Sequence, residues 1–500
     1  MDFIQRNYYR KDYGKMEKET LYEKLKSYTS SDCYPFHMPG HKRREYPFNE
    51  SYSIDITEID GFDDYHHPEG IIRDAMADAA RIYKSDASYF LVNGSTGGIL
   101  SAISAVTNLG DSILIARNCH KSVYNTLYLR NLKPYYVYPQ PINEWGITGG
   151  ILPEDVDNVL KRNPGIRAVV IVSPTYEGVI SDIEKIARVC HCYEIPLIVD
   201  EAHGAHFPFW KEGPKSALEC GADCVIQSLH KTLPSLTQTA IIHWKKGFME
   251  KEALERYLHI YQSSSPSYVF LAGIQSCINQ MEKTGWDRMV LHGTRMKDFM
   301  KQCEGFQVIR VLDSSIVGCN GVYDWDWTRL VIWAPDHKGD ELYRILRDTY
   351  HLQMEMETPD YVVAITSIAD TEEGLKRLYK ALWEIDQEWF LNGGLETSEE
   401  FQNVLECIKK IGEKNIESQV LSPYEASLCK KKEIPWKETK GYLSAETAYI
   451  YPPGIPFLMP GERILQEHLD IFEFYKEMGF QIKGISDSSM KQLQVIEGFE

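Results

Sequence analysis

Short apolar runs and helically spaced apolar residues alternate through the first half of the chain. The runs predict strands at 88–92, 112–116, 135–138, 168–172, 197–199 and 224–226. The spacing between them predicts helices at 71–83, 98–106, 120–129, 153–161 and 182–193. This alternation is typical of crossover connections, so the sequence predicts an α/β fold with a mostly parallel sheet covered on both faces. In such sheets, ligands bind beyond the carboxyl ends of the strands.

The same patterns predict a smaller α/β domain and a C-terminal domain. A helical stretch runs to about residue 303, followed by strands at 329–333 and 361–365 and helices at 340–350 and 372–384. A glycine pair at 393–394 indicates a boundary, and the chain begins with a helical pattern at 17–27. We therefore expect an N-terminal segment (1–54), a large domain (55–305), a small α/β domain (306–391) and a C-terminal domain (392–500).

Composition narrows the class of protein. The 500 residues include 54 basic and 72 acidic side chains, and the net charge of -18 argues against nucleic acid as a partner. No apolar run approaches the length of a membrane span, about 20 residues, and the first residues lack the apolar centre of a signal peptide. A cytoplasmic location is expected. The 11 cysteines are scattered, which disfavours a disulfide framework, and their spacing completes no zinc site, so no metal is expected.

A lysine and an aspartate follow two of the predicted strands. Lys231 lies in the polar segment QSLHKT at 227–232, and Asp200 ends the strand at 197–199. Burial at a strand end lowers the pKa of a lysine and frees its amine to attack a carbonyl, whereas a buried carboxylate needs a cation. Singly, the two are better explained as a solvated lysine and as a helix cap or strand-end ion pair. Together they favour pyridoxal phosphate, whose aldehyde binds a lysine and whose protonated ring nitrogen needs an acid.

Two further segments lie at the same predicted edge of the sheet. Gly94, Ser95 and Thr96 join a strand to a helix, where glycine lets the backbone approach an anion and the helix N-terminus adds partial positive charge. An ordinary capped turn is the alternative, but the position in the sheet favours a phosphate site. His120 follows the next strand, where it either stacks on an aromatic ring or caps the following helix.

Five motifs, in chain order, resemble the ornithine/lysine/arginine decarboxylase family of fold type I pyridoxal-phosphate enzymes. They are HMPGHK at 37–42, GSTG at 94–97, DEAHG at 200–204, SLHK at 228–231 and YPPGIP at 451–456. The resemblance implies an aspartate aminotransferase-like large domain and a homodimer as the smallest active unit. The serine cluster at 263–267 is then a candidate for reaching a neighbour's phosphate, or is a plain loop. We expect a short form, because a chain of this length has no room for the N-terminal wing domain of the family's larger members.

The resemblance also implies roles for individual residues. Lys231 would hold the cofactor covalently, Asp200 would pair with its ring nitrogen, and His120 would stack on its ring. Ser95, Thr96, Ser228 and His230 would hold the phosphate at the Gly94 turn. Ala202 and His203 would lie near the other face of the ring, with His203 a further catalytic candidate.

A basic amino acid is the substrate that the resemblance implies, and it would lose its carboxylate as CO₂. Its distal cation needs a carboxylate in a dry pocket, for which Glu462, Asp63 and Asp64 are candidates; a solvated surface acid is the competing interpretation of each. The residues do not decide between arginine, lysine and ornithine, and likeness to short family members narrowly favours arginine. Another fold type I reaction such as transamination is the alternative within enzymes. A non-catalytic regulator of a partner decarboxylase is a further alternative, but it would be expected to lack Lys231 or Asp200.

Overall fold

The computed structural model of the chain describes residues 32, 34–36, 62–333, 339–392, 400–414, 419–451 and 454–499. The predicted helix at 17–27, the motif at 37–42 and the acidic stretch up to Gly61 lie outside these residues, as do Pro452 and Pro453. None of the helices within the described ranges is long and apolar enough to cross a membrane.

A seven-stranded sheet forms the centre of the large domain. Its strands are β1 (Ala87–Leu91), β2 (Ser112–Ala116), β3 (Lys133–Val137), β4 (Ile166–Val172), β5 (Leu197–Asp200), β6 (Cys224–Ser228) and β7 (Ala240–Trp244). The spatial order is β1-β7-β6-β5-β4-β2-β3, and only β7 runs antiparallel to its neighbours. The middle strands β4 and β5 are mainly apolar and buried, apart from the exposed Arg167 in β4 and the buried Asp200 at the end of β5, as expected for parallel strands covered on both faces.

Helices cover both faces of this sheet. They are α1 (Ile71–Tyr83), α2 (Gly94–Val106), α3 (Lys121–Leu129), α4 (Pro153–Arg162), α5 (Ile183–Cys192), α6 (Leu229–Thr232), α7 (Lys251–Tyr261), α8 (Tyr268–Gln280) and α9 (Trp286–Cys303). A π-helical turn, Met281–Gly285, joins α8 to α9. Helix α2 packs closely on the sheet, because a Cβ at Gly98 would lie 2.6 Å from Leu91 Cδ1 and 3.1 Å from Ile226 Cγ2.

The small domain is built on an antiparallel sheet of β8 (Arg310–Val311), β9 (Arg329–Trp333), β10 (Met356–Glu357) and β11 (Tyr361–Ile365), in the order β8-β9-β11-β10. Helices α10 (Gly339–Asp348) and α11 (Glu372–Leu391) lie beside it. The end of α9 contributes Met296 and Phe299 to the same core.

The C-terminal residues form two antiparallel strand pairs and three helices. The helices are α12 (Glu400–Lys414), α13 (Pro423–Leu428) and α14 (Gln466–Glu477), and the pairs are β12 (Lys431–Pro435) with β15 (Gln492–Ile496) and β13 (Ala448–Ile450) with β14 (Ile455–Leu458). The remaining described strands have two residues each: Tyr34–Pro35, Pro141–Ile142, Ile147–Thr148, Val179–Ile180, Asp324–Trp325 and Leu352–Gln353.

The predicted α/β fold with a mostly parallel sheet is confirmed, with corrections in detail. Strand β7 was not predicted. Helix α2 begins at Gly94 rather than at residue 98, so the glycine turn is the first turn of the helix. The polar segment around Lys231 is the end of β6 followed by the one-turn helix α6. The domain borders at 54/55, 305/306 and 391/392 stay predictions.

Candidate active site

A cavity of about 440 Å³ lies at the carboxyl ends of the central strands. The small domain contributes Glu357 and Tyr361 to its wall, and the C-terminal residues contribute Pro456 and Phe457. Every residue predicted to contact the cofactor lines it: Gly94, Ser95, Thr96, His120, Asp200, Ala202, His203, Ser228, His230 and Lys231. Segments that are distant in sequence therefore meet around one space.

Lys231 lies in α6, directly after β6. Its Nζ is 2.9 Å from His203 Nε2 and 5.6 Å from the centroid of the Tyr176 ring. Burial lowers the pKa of Lys231 to about 8, against the opposing charges of Asp200 and Glu355. At neutral pH, the uncharged fraction of this amine therefore exceeds that of an ordinary lysine, which suits a nucleophile.

Asp200 is the last residue of β5 and is 3% exposed. Its Oδ1 accepts a hydrogen bond from the Ala202 amide at 3.2 Å. Burial raises the pKa of Asp200, and the charge of Lys231 opposes this shift. A carboxylate with so few donors at the bottom of a cavity is suited to receive a cationic group from a ligand.

The N-terminus of α2 forms an anion cradle on the same side of the cavity. Gly94 adopts φ 66°, a left-handed conformation that favours glycine. Ser95 Oγ lies 2.7 Å from Ser228 Oγ, which brings hydroxyls from α2 and β6 together. The first amides of a 13-residue helix and these hydroxyls are donors of the kind that bind phosphate.

Two histidines of the cavity wall are held neutral by their surroundings. Burial, and then the charges of Lys231 and Lys121, lowers the pKa of His120 to about 4. His120 also caps α3, because its Nδ1 accepts the Ser122 amide at 3.3 Å. Burial, followed by Lys231 and other nearby cations, lowers the pKa of His203 well below its usual value, so its Nε2 is an acceptor for the Lys231 amine.

Glu462 does not line the cavity. It is 2% exposed, and its carboxylate lies 3.2 Å from Arg117 Nη2 and accepts the Met459 amide at 2.8 Å. Arg117, directly after β2, also donates to the Tyr124 hydroxyl and to the Pro456 carbonyl. The structure thus uses Glu462 to neutralise a buried arginine and to join the C-terminal residues to the large domain, and it does not support the expected substrate contact.

Asp63 and Asp64 also lie away from the cavity lining. Asp63 Oδ2 accepts the amides of Gly70 and Ile72 at 2.8 and 2.9 Å, so its carboxylate organises the start of α1. Asp64 is exposed, and its Oδ1 accepts the His66 amide at 2.8 Å. In this chain both carboxylates serve local structure.

Sequence reasoning missed several charged residues around Lys231. The Tyr176 hydroxyl donates a hydrogen bond to Glu355 at 3.1 Å. The charge of Glu355 acts to raise the pKa of Lys231, against the effect of burial. Arg329, fully buried at the start of β9, donates to the His203 carbonyl at 2.9 Å and lies 3.8 Å from Asp326. An arginine that opens an otherwise apolar strand was the available signal, since such a charge needs a specific partner.

Comparison with known proteins agrees with this geometry. Residues 19–341 match the model of the Orn/Lys/Arg decarboxylase major domain, and residues 410–487 match that of the C-terminal domain. The chain belongs to the Orn/Lys/Arg decarboxylase family.

Relatives and solved structures of this family cover nearly the whole chain. An arginine decarboxylase of Bacillus subtilis is 31% identical over 95% of this chain and 97% of its own length. The inducible lysine decarboxylase of Escherichia coli is 22% identical over 88% of this chain and 74% of its own length. Lysine decarboxylase A from Pseudomonas aeruginosa has a structure with a TM-score of 0.73 at 18% identity, covering 95% of this chain and 80% of that one. The chain is therefore a decarboxylase of the fold type I class.

Proposed function

We propose that this decarboxylase uses pyridoxal 5'-phosphate and acts on arginine. The observation that carries the proposal is the placement of Lys231 and Asp200 in one cavity at the ends of adjacent strands. The amine has a lowered pKa, and the carboxylate is buried with few donors. The cofactor's aldehyde needs an uncharged amine, and its protonated ring nitrogen needs a carboxylate.

The residues present fit each part of this cofactor. Lys231 would bind the aldehyde carbon, Asp200 would face the ring nitrogen, and the α2 N-terminus with Ser95 and Ser228 would hold the phosphate. Within the described residues, Asn118 Oδ1 and His203 Nδ1 are buried polar atoms without a hydrogen-bond partner. Unpaired polar atoms at a buried wall are expected where a ligand completes the hydrogen bonding.

The bound cofactor supplies an electrophilic carbon for the substrate's α-amino group and a positively charged ring that takes up the electron pair left when CO₂ departs. Asp200 keeps positive charge at the ring nitrogen favourable, because its buried carboxylate has no described cation other than Lys231 nearby. We assign His120 to one face of the ring and Ala202 with His203 to the other, where they exclude water.

Lys231 is also our candidate for returning a proton to the α-carbon. Its Nζ lies beside His203 Nε2, a neutral acceptor that orients the amine without taking its proton. A lysine with a pKa of about 8 both gives and receives a proton near neutral pH, as a general acid–base group must.

Arginine is favoured over lysine by the relatives. Proteins named arginine decarboxylase are 27% to 31% identical to this chain over at least 90% of it, whereas the lysine decarboxylase of Escherichia coli is 22% identical. The test is to supply arginine, lysine and ornithine separately and to quantify amine, CO₂ and keto acid. Amine and CO₂ from arginine are expected. Keto acid without CO₂ would indicate transamination, and a preference for lysine would overturn the assignment to arginine.

We further propose a homodimer as the smallest active unit. The exposed serines at 263–265 directly follow Gln262, whose side chain accepts the amides of Val92 and Asn93 at 3.1 Å beside the α2 cradle. This exposed position supports the proposal that a serine of the segment reaches the phosphate site of a second copy. Sedimentation of the active enzyme should show a dimer or larger, and a fully active monomer would refute this.

A further inference from the structure

The distal cation of a basic substrate requires a carboxylate, and the cavity offers few. Those that line it within the described ranges are Asp200, Glu177 and Glu357. Asp200 is assigned to the cofactor ring. A guanidinium that leaves water for a dry pocket loses favourable hydration unless a carboxylate receives it, so among the described residues of one copy the choice lies between the other two.

Glu177 lies in the loop after β4 and is 8% exposed. The Tyr361 hydroxyl donates to its Oε1 at 3.0 Å, and the Trp325 ring N–H donates to its backbone carbonyl at 3.2 Å. Burial raises its pKa; hydrogen bonds from its own backbone amide and from the Thr175 and Tyr361 hydroxyls oppose that shift, and no described lysine, arginine or histidine does. The carboxylate therefore has neutral partners only, and the residue lines the cavity.

Glu357 has a different environment. It is only half-buried; burial and then the charge of Asp340 raise its pKa, whereas Arg347 and Arg344 of helix α10 oppose this shift. A partly solvated carboxylate that already has arginines near it gains less from a substrate cation than a buried one without a nearby cation. This difference favours Glu177.

We propose that Glu177 binds the distal cation of the basic substrate and thereby determines that the enzyme selects a basic amino acid. The inference rests on the proposed function, since it assigns a residue to the substrate of that same cavity. Tyr361, from the small domain, is the positioning residue that fixes the carboxylate, so both domains contribute to the proposed binding site.

The experiment compares arginine with citrulline, a neutral analogue of nearly the same shape, in the holoenzyme. Glu177→Gln keeps an acceptor for the Tyr361 hydroxyl but removes the charge. Arginine kcat/KM is expected to fall about 30-fold or more, as for loss of one partner of a buried charge pair, while citrulline is little affected. The visible absorption of the cofactor should remain. Glu446→Gln is the matched control, because Glu446 is also 8% exposed but serves Ser486 and Gln494 in the C-terminal residues.

A second variant guards against misfolding of the first. Glu177→Asp keeps the charge but shortens the side chain by one methylene group. Homoarginine is longer than arginine by one methylene group, so the preference for homoarginine over arginine should rise. An unchanged arginine-to-citrulline ratio in Glu177→Gln, an unchanged homoarginine preference in Glu177→Asp, or collapse of the ratio in Glu357→Gln instead would each overturn the proposal. A wild-type enzyme that releases no amine from any basic amino acid would contradict the proposed function itself, which is a separate outcome.

Discussion

The proposed cofactor half and the proposed substrate half of the cavity are assembled differently. The cofactor half consists of residues at or just after the carboxyl ends of strands in one sheet: Asp200 ends β5, and Gly94 and Lys231 lie in the first turns of the helices after β1 and β6. The substrate half combines a loop of the large domain with the small domain and the C-terminal residues, which supply Glu177, Glu357 and Phe457 respectively. The first half follows from local sequence, whereas the second depends on how separate units pack.

The acidic residues of the chain show what this difference means. Asp200 was singled out because its position at a strand end is visible in the sequence, and the structure places it in the cavity wall. Glu462 was singled out for its rigid, proline-rich surroundings, yet it pairs with Arg117. A carboxylate in a loop can serve a substrate, an arginine or a helix start, and only tertiary contacts distinguish these roles.

The largest expected effect lies in the cofactor half. Lys231→Ala removes the amine that would bind the cofactor aldehyde, so amine formation should be abolished. The visible absorption band that borohydride removes from the wild type should be missing. Equilibrium dialysis provides the control, since residual non-covalent cofactor binding would show an intact fold. A band identical to that of the wild type would rule out Lys231 as the attachment point.

Glu462→Gln tests whether that carboxylate belongs to structure rather than to substrate binding. Loss of one partner of a buried ion pair typically costs about 3 kcal/mol, so the denaturant midpoint should fall markedly. The preference for arginine over citrulline should not change. Glu473→Gln breaks the exposed pair with Lys437 and should cost at most about 1 kcal/mol. A stable Glu462→Gln protein that no longer discriminates against citrulline would return Glu462 to the substrate site.

Asp200→Asn tests the electrostatic part of the cofactor half. Asparagine still accepts the Ala202 amide but does not stabilise a positive ring nitrogen, so turnover should fall at least about tenfold, equivalent to about 1.4 kcal/mol of barrier. Cofactor content, measured by absorbance after denaturation, should fall less than turnover. A smaller loss of turnover would mean that Asp200 is not the ring partner.

The pH dependence of cofactor capture tests the environment of Lys231. Burial lowers the pKa of Lys231 to about 8, and only the uncharged amine attacks an aldehyde. The uncharged fraction rises with pH, so cofactor-free enzyme should bind pyridoxal phosphate about tenfold faster at pH 9 than at pH 7. Stopped-flow absorbance measures this rate. A rate that still rises towards pH 10.5, as for an ordinary lysine, would show that the amine is not desolvated.

Asp63→Asn should give the smallest effect. Asparagine tolerates the left-handed conformation of Asp63, φ 71°, but offers one acceptor fewer to the amides at the start of α1. A loss below about 1 kcal/mol is expected in unfolding experiments, without a change in kinetics. A strong rise in KM for arginine would instead place Asp63 in a substrate site, for example that of a neighbouring copy.

Sequence patterns anticipated most of the fold because continuous apolar runs separated by helical spacing leave few alternatives. They missed β7, whose residues Ala240–Trp244 form the only antiparallel member of the central sheet and have no crossover helix before them. In the site, the residues adjacent to strands were found. Arg329 and Glu355 were not, because their proximity to Lys231 arises from contacts between the large and small domains. Glu177 was not found either, because it lines the same cavity from a loop and does not follow a strand directly.

The buried Arg117–Glu462 pair also limits how this enzyme can be recombined. Arg117 follows a strand of the large domain, whereas Glu462 lies 345 residues further along, beyond the small domain. A chimera that joins the first part of one homologue to the last part of another must inherit both partners or replace both with apolar side chains of similar volume. A chimera that inherits only one of the two residues would bury a charge without its partner where the two parts meet. The segments that carry Arg117 and Glu462 are thus expected to be exchangeable between homologues only together.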